Sequence, residues 1–509
     1  MISFIVPFTT YEKDKFLNLN KGFEYSNINN TVFSTFKAIK SINSLKCEKE
    51  ILLIDNSNTF PNVSLPNMRV IKGFQYQKIE DLMENPKFTN HTDIDYAKDQ
   101  DANDELGHFR SKFHLPEDKN GYSCIYMCGN SLGLQTVDTK KYLEEELADW
   151  TKYGVHGHTK AKRPWLTYHL QAREGFAYLT GSKECEVVAM NTLTVNLHML
   201  MASFYRPTKE KYKILIESTA FPSDRFAAES QIRLHGYDPK DALIEWKPKN
   251  EVLMLEDYQE IINQHGDEIA LILLPGIQYY SGQVLPMKKL CNIAKDAEIK
   301  IGLDLAHAVG NVELELHAWE PDFAAWCTYK YLNGGPGSIA GAFIHEKYHG
   351  GDGSNQLLGW WSNDLKTRFE MGTSFVPASD ADLWQVSNPP VFSLTPVISS
   401  LQIFKEASFE KIREKSKKLT SYMDFLIENK YKDKIVSITP HENRGCQLSL
   451  VIRDEQLDGK KIFNSLTEKN VIGDWREPNV IRMAPTPLYN SYQDVFHFIE
   501  RLSDSIQEK

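Results

Sequence analysis

From residue 212 onward the chain repeats one pattern: a short, almost uninterrupted apolar run, then a segment of helix length. The runs are Tyr212–Glu217 (YKILIE), Ala270–Leu274 (ALILL), Ile301–Ala306 (IGLDLA), Phe323–Cys327 and Gly341–Ile344. A strand with no polar face must be covered on both sides, which is the environment of a parallel sheet. Asp257–Gln264 and Met287–Asp296 are among the helix-length segments that separate most of them. Alternation of this kind predicts an α/β fold, a mainly parallel sheet with helices on both faces.

Two further blocks flank that core. Lys140–Tyr153 reads as a helix with Leu143, Leu147 and Trp150 on its apolar face and Gly154 as its stop. Phe409–Asn429 reads as a long helix through Ile412, Leu419, Met423 and Leu426, followed by a Gln447–Ile452 strand and a Tyr492–Ile506 helix, a smaller α+β unit. Residues 1–72 read as a βαβ piece: strands at Ile2–Phe8 and Glu50–Asp55, a helical stripe within Thr31–Ile42, and a third strand at Met68–Ile71. An Asn-, Asp- and Lys-rich stretch then runs to about Asp104, and His349–Asn355 (HGGDGSN) reads as a loop. The expected division is an extension over 1–72, an entry segment over 73–139, a large domain over 140–390 and a small one over 391–509.

Composition narrows the partners. In 509 residues, 58 Lys plus Arg stand against 68 Asp plus Glu, a net charge of −10. That balance argues against nucleic acid or an anionic membrane surface as partners. The seven cysteines are odd in number and form no CxxC pair, so reduced thiols are expected rather than disulfides or a structural zinc. No apolar run approaches the ~18 residues of a membrane span. The opening Met1–Phe8 has no basic region ahead of its apolar run and makes a poor signal peptide, so the cytosol is the expected compartment.

The chemistry centres on Asp304, His307 and Lys330. Asp304 interrupts a strand-like run, IGLDLAHAVGN, where a carboxylate is out of place unless it is paired or used. Lys330 ends the apolar run FAAWCTYK and precedes the glycine-rich turn YLNGGPGSIAG. A desolvated lysine has a lowered pKa and an amine free for Schiff-base chemistry. An aspartate on a neighbouring strand is what a pyridinium nitrogen needs in order to stay protonated. A plain Asp–Lys salt bridge at a strand edge would account for the same two residues. Asn191–Thr194 opens an apolar helix, where backbone N–H groups and the Thr194 hydroxyl could take phosphate, or Thr could simply cap the helix. Phe221-Pro222-Ser223-Asp224 follows the 212–217 strand and offers an aromatic face and a carboxylate to a ring, or a turn with an Asp cap.

Together these residues are recognisable. YMCGNSLGLQ, GHTKAKRPW, MNTLTVNLH, AFPSDRFAAESQIRLHG, GLDLAHAVGNVELELHAW, WCTYKYLNGGPGSIAGAFIHEK, GWW, SNPPVF, RGCQLS and DWREPNVIRMAPTPLYNS occur in order, and the chain from about residue 80 resembles the kynureninases. These are pyridoxal 5′-phosphate (PLP) enzymes of fold type I, related to the class V aminotransferases. The resemblance implies a large PLP-binding domain, a small C-terminal domain and a homodimer. It implies hydrolytic Cβ–Cγ cleavage of L-kynurenine or its 3-hydroxy form, in tryptophan catabolism and NAD biosynthesis. By the same resemblance, Lys330 would carry PLP as a Schiff base and move the Cα proton. Asp304 would pair with the ring nitrogen, with His307 beside the ring. Phe221 would stack on the ring, and Pro222, Ser223 and Asp224 would complete that segment's contacts. Leu193, Thr194 and Tyr329 would hold phosphate, and Tyr329 could also donate a proton. Trp360 and Asn388 would complete the site partly across the dimer interface. Arg482 would clamp the α-carboxylate, with Ser131 and His158 at the aryl end. Pro275 departs from a family position that can supply a hydroxyl and an N–H to phosphate, so no contact is carried over there.

Three rival readings make distinct demands. A cysteine desulfurase needs a nucleophilic cysteine on a mobile loop, and Cys446, the nearest candidate, begins an apolar strand pattern. Residues 1–72 resemble the start of family-2-like (GT-A) glycosyltransferases, with Asp55 near the nucleotide, but stop short of the acidic metal-binding motif; a truncated appendage is expected. An inactive PLP scaffold is disfavoured because the lysine, aspartate and arginine are all present.

Overall fold

In the computed structural model the structure describes residues 4–8, 51–55, 68–72 and 91–507 except Ser354. The chain divides into two compact units, Met1–His91 and Thr92–Lys509. In the first, strands β1 (Phe4–Phe8), β2 (Ile51–Asp55) and β3 (Met68–Lys72) form a parallel sheet in that order, with Phe4 opposite Ile51 and Ile51 opposite Met68. The helix expected at 31–42 lies outside the described residues.

The second unit is built on a seven-stranded sheet. Its strands are β4 (Val187–Ala189), β5 (Lys213–Glu217), β6 (Leu243–Trp246), β7 (Ile269–Pro275), β8 (Lys300–Asp304), β9 (Phe323–Trp326) and β10 (Gly341–Ile344). They lie in the order β4-β10-β9-β8-β7-β5-β6, and only β10 runs antiparallel to its neighbours. The apolar runs read from sequence are thus strands buried on both faces. Leu271 and Leu273 of β7 enter one core while Ile272 and Leu274 enter the other.

Four helices matter for the site or for the reading of the sequence. Helix α1 (Asp138–Tyr153) ends on Gly154, at φ 51°. The stripe expected to bury it is instead largely outward: Leu147 and Trp150 are 48% and 57% exposed. What α1 buries is Thr139 and Glu146, the latter holding Arg163, Trp165 and Tyr168 through its carboxylate. Helices α2 (Leu193–Phe204) and α3 (Pro222–Leu234) begin close to the C-terminal ends of β4 and β5. Helix α4 (Val391–Ala407) is buried along most of its length and carries Pro396 inside it.

The C-terminal part holds α5 (Phe409–Tyr431), a four-stranded sheet and α6 (Tyr492–Gln507). The sheet order is β11 (Ile435–Ser437), β12 (Leu448–Ile452), β14 (Val480–Met483), β13 (Asp474–Arg476), all antiparallel. Its core also takes in Ala97 from the helix Ile94–Ala102, and Ile125 and Met127, because Ile125–Tyr126 pairs in parallel with Val471–Ile472. No helix among the described residues is long and apolar enough to cross a membrane.

Candidate active site

The C-terminal ends of parallel strands collect chemistry, since loops and helix starts converge there. Here β5 ends in Glu217, β7 in Pro275 and β8 in Asp304, and β9 leads through three residues to Lys330. All four residues line one cavity of about 240 Å³. The small sheet closes it from another side through β14. Strand alternation sends Ile481 and Met483 into the apolar core and leaves Arg482, between them, facing the cavity.

At the centre Lys330 Nζ lies 3.0 Å from His307 Nε2. Burial, reinforced by the lysine's charge, holds the His307 imidazole well below its usual pKa, so it stands neutral. Asp304 accepts the Ala306 N–H at 2.7 Å. Asp224, on the first turn of α3, is fully enclosed beside it. Burial first, then the Asp304 charge, push the Asp224 carboxyl well above the ordinary range, and burial raises Asp304 as well. Asp224 Oδ1 and His307 Nδ1 have no hydrogen-bond partner among the described residues. Two buried carboxyls raised together are costly by themselves and suit a cationic ring N–H placed against them.

A side that could hold an anion forms where α2 and α3 begin. Thr192 caps α2 without a side-chain hydrogen bond, and Thr194 Oγ1 lies 2.6 Å from Ser223 Oγ. Both hydroxyls, with the free N–H groups of the first turn of α2, face the cavity. Phe221 lies across the opening, 45% exposed and edge-on to Tyr279 at 5.2 Å. Tyr329 lines the wall beside Lys330, its hydroxyl raised above its ordinary pKa by burial and by Cys327.

Arg482 is held hard in place. Its Nη1 donates to the Tyr279 carbonyl at 2.6 Å and its Nη2 pairs with Asp474, while Nε has no partner. Asp474 also accepts from Arg476 Nη2 at 3.0 Å. Arg482 therefore lines the cavity as a guanidinium fixed on two sides, a group that could clamp a carboxylate.

Of the residues singled out from sequence, the fold brings together Ser131, Leu193, Thr194, Phe221, Ser223, Asp224, Asp304, His307, Tyr329, Lys330 and Arg482. Four lie elsewhere in the single chain. Pro222 is the first residue of α3, shaping the helix start rather than facing the cavity. His158 is exposed, edge-on to Trp165 at 5.6 Å. Trp360, about half exposed, donates to the Arg368 carbonyl and packs on Trp361 and Phe369. Asn388 lines a neighbouring cavity with Gly337, Ile339 and Ser393; Thr192 borders both. Pro275 forms wall only, as its missing N–H requires.

Sequence reasoning missed Asn130, Glu217, Tyr279, Asp474 and Arg476. Glu217 is a fully buried carboxylate accepting from Thr219 N, Thr219 Oγ1 and Gln278 Nε2. It ends an apolar run just as Asp304 does, and that signal could have found it. Asn130 gives its amide N–H to Gln447 and keeps Oδ1 unpartnered. Cys446, the desulfurase nucleophile candidate, is buried, hydrogen-bonded to Asn311, and burial pushes its thiol up to about 11.

Comparison with known proteins points the same way. Residues 412–502 match the family model described as the kynureninase C-terminal domain. A kynureninase of Flavobacterium psychrophilum is 43% identical over 422 residues, 82% of this chain and 98% of the relative. One from Myxococcus xanthus is 44% identical over 417 residues, 81% and 97% of the two chains. Among solved structures, a cysteine desulfurase from Thermococcus onnurineus superposes with a TM-score of 0.62 at 16% identity, over 76% of this chain and 95% of that one. That likeness establishes the fold, the type-I PLP-enzyme architecture, and nothing finer.

Proposed function

The chain belongs to the kynureninase family, and from that premise we propose how its residues carry out the reaction. The activity is hydrolysis of the Cβ–Cγ bond of L-kynurenine or its 3-hydroxy form, yielding anthranilate or 3-hydroxyanthranilate and L-alanine, with PLP as cofactor. The observation that carries the assignment of roles is the convergence of Lys330, the Asp304–Asp224 carboxyl pair and the Arg482 guanidinium on one cavity.

When bound, PLP supplies an electron sink for bonds at the substrate's α carbon. The chain does the rest. Lys330 would hold the cofactor through its amine, and the same amine is the group that would move the α proton. Asp304, with Asp224 at its side, would keep the ring nitrogen protonated. Neutral His307 would add no second positive charge there. Phe221 would cover the ring, and Thr194, Ser223 and the start of α2 would take the phosphate with Tyr329. Arg482 fixes the α-carboxylate, which orients the scissile bond relative to the ring. Tyr329, with its hydroxyl kept protonated by burial, is a proton donor for the departing β carbon.

A second copy of the chain would complete the site with Trp360 and Asn388, and His158 belongs with Ser131 at the aryl end. The exposed apolar surface that includes Trp360, Phe369, Met371 and Phe375 supports such a dimer. The six described cysteines are all free thiols, which suits a reducing cytosol. Purified protein reconstituted with PLP should release fluorescent anthranilate from L-kynurenine and no sulfide from cysteine. Sulfide without anthranilate would overturn the reading.

A further inference from the structure

Asp474 serves two guanidinium groups, and only one of them has a role in the scheme above. Arg482 is 1% exposed, Asp474 10% and Arg476 34%, so exposure rises from one guanidinium to the other through the carboxylate they share. Arg476 lines the cavity, and its Nε is buried without a partner although Nη2 is held by Asp474. Burying an unpaired guanidinium N–H is costly unless a ligand completes it. Both groups lie over the Tyr279 ring, its centroid 5.9 Å from Arg476 and 6.0 Å from Arg482.

We propose that Arg476 is a second anion-binding residue of the reaction, holding the substrate's γ oxygen and then the carboxylate of the aryl product. The proposal rests on the kynureninase reading. With the α-carboxylate on Arg482, the γ carbon lies only the α and β carbons further along the substrate. Arg476 shares Asp474 Oδ2 with Arg482, so the two guanidinium groups lie on either side of one oxygen, and Arg476 is the more exposed of the two. Hydrolysis adds the oxygen of water to the γ carbon and leaves the Cβ–Cγ electron pair on Cβ, where a proton completes the alanine methyl. The aryl fragment leaves as a carboxylate and its proton passes to solvent. Negative charge therefore appears at the γ oxygen during the reaction and remains on the product. A fixed cation there, out of bulk water, stabilises that charge at the moment it forms.

The test uses wild-type holoenzyme with Arg476→Gln, Arg476→Lys and Arg482→Lys, measuring kcat and KM for L-kynurenine, inhibition by anthranilate and binding of L-alanine. Arg476→Gln should lower kcat by about 10²–10³-fold, the usual loss for one oxyanion donor. It should weaken anthranilate inhibition by at least about tenfold and leave L-alanine affinity unchanged, because alanine retains only the α-carboxylate. Arg476→Lys, which keeps the charge beside Asp474, should recover part of both losses. Arg482→Lys should weaken alanine instead. Unchanged kcat and anthranilate inhibition in Arg476→Gln would overturn the proposal. So would a parallel loss of alanine affinity, which would make Arg476 a mere support for Arg482. Failure of the wild-type holoenzyme to form anthranilate would instead sink the underlying reading.

Discussion

Gly133→Ala is a one-carbon perturbation whose consequence can be worked from distances. Gly133 N donates to the Tyr329 carbonyl at 2.8 Å, which holds the 126–135 segment against the turn that carries the lysine. A Cβ on Gly133 would lie 2.1 Å from the Lys330 carbonyl oxygen, 2.5 Å from Asn333 Oδ1 and 2.9 Å from Asn333 Cα. Gly133 is not among the residues at positive φ, so alanine suits its backbone and the penalty is steric. Two of the three atoms belong to main chain and cannot swing aside. Ordinary contact begins at 3.4 Å, so relief at the Lys330 oxygen requires 3.4 − 2.1, or about 1.3 Å of displacement. Overpacking of this kind costs about 1–3 kcal/mol, which for a unit of this size is roughly 1–3 °C of Tm. Activity should suffer more, since a misplacement of about 1 Å in a catalytic group costs about 10²-fold. The variant should stay folded and lose about two orders of magnitude in kcat/KM for L-kynurenine, with weaker PLP retention. Wild-type kcat/KM would refute the claim that this contact sets the lysine.

Lys330→Ala should lose both turnover and the visible absorbance of lysine-bound pyridoxal; persistence of that band would place the cofactor on another amine. Asp474→Asn removes the charge opposite buried Arg482 and should cost about 3 kcal/mol in urea unfolding; a loss below about 1 kcal/mol would mean the pair is solvated. In cofactor-free protein, Asp224→Asn should be stabilising. The folded carboxyl's pKa is raised, so its contribution is favourable below the unfolded value of ~3.9 and is lost as pH rises through the folded one. The Tm advantage of the asparagine variant should therefore be absent near pH 4, grow above it, and shrink once PLP is added. An advantage independent of pH would show that charge is not its cause.

The strands of the large sheet were legible because each is buried on both faces and therefore reads as continuous apolar sequence. β4 and β6 were not, since Val187–Ala189 is too short to stand out and Leu243–Trp246 includes Glu245. Helix α1 was placed correctly, but its buried side was misjudged: a buried glutamate with three donors outcompeted a Leu–Trp stripe that faces outward. Helix α4 escaped notice because Pro396 breaks the local pattern while tertiary packing supports the helix around it. In the site, Asp304 and Lys330 betrayed themselves as charges at strand ends. Arg476 and Asp474 carry no such mark, because they lie in a polar segment and matter only through the pairing of β13 with β14. Trp360 and Asn388 show a different boundary: the fold of one chain does not bring them to the cavity.

The central claim is that this cavity hydrolyses a carbon–carbon bond, and labelled water tests it most directly. Holoenzyme turning over L-kynurenine in H₂¹⁸O should yield anthranilate and L-alanine in equal amounts, with one oxygen of the anthranilate carboxylate taken from solvent. Anthranilate formed without the label, or alanine formed without anthranilate, would contradict the account.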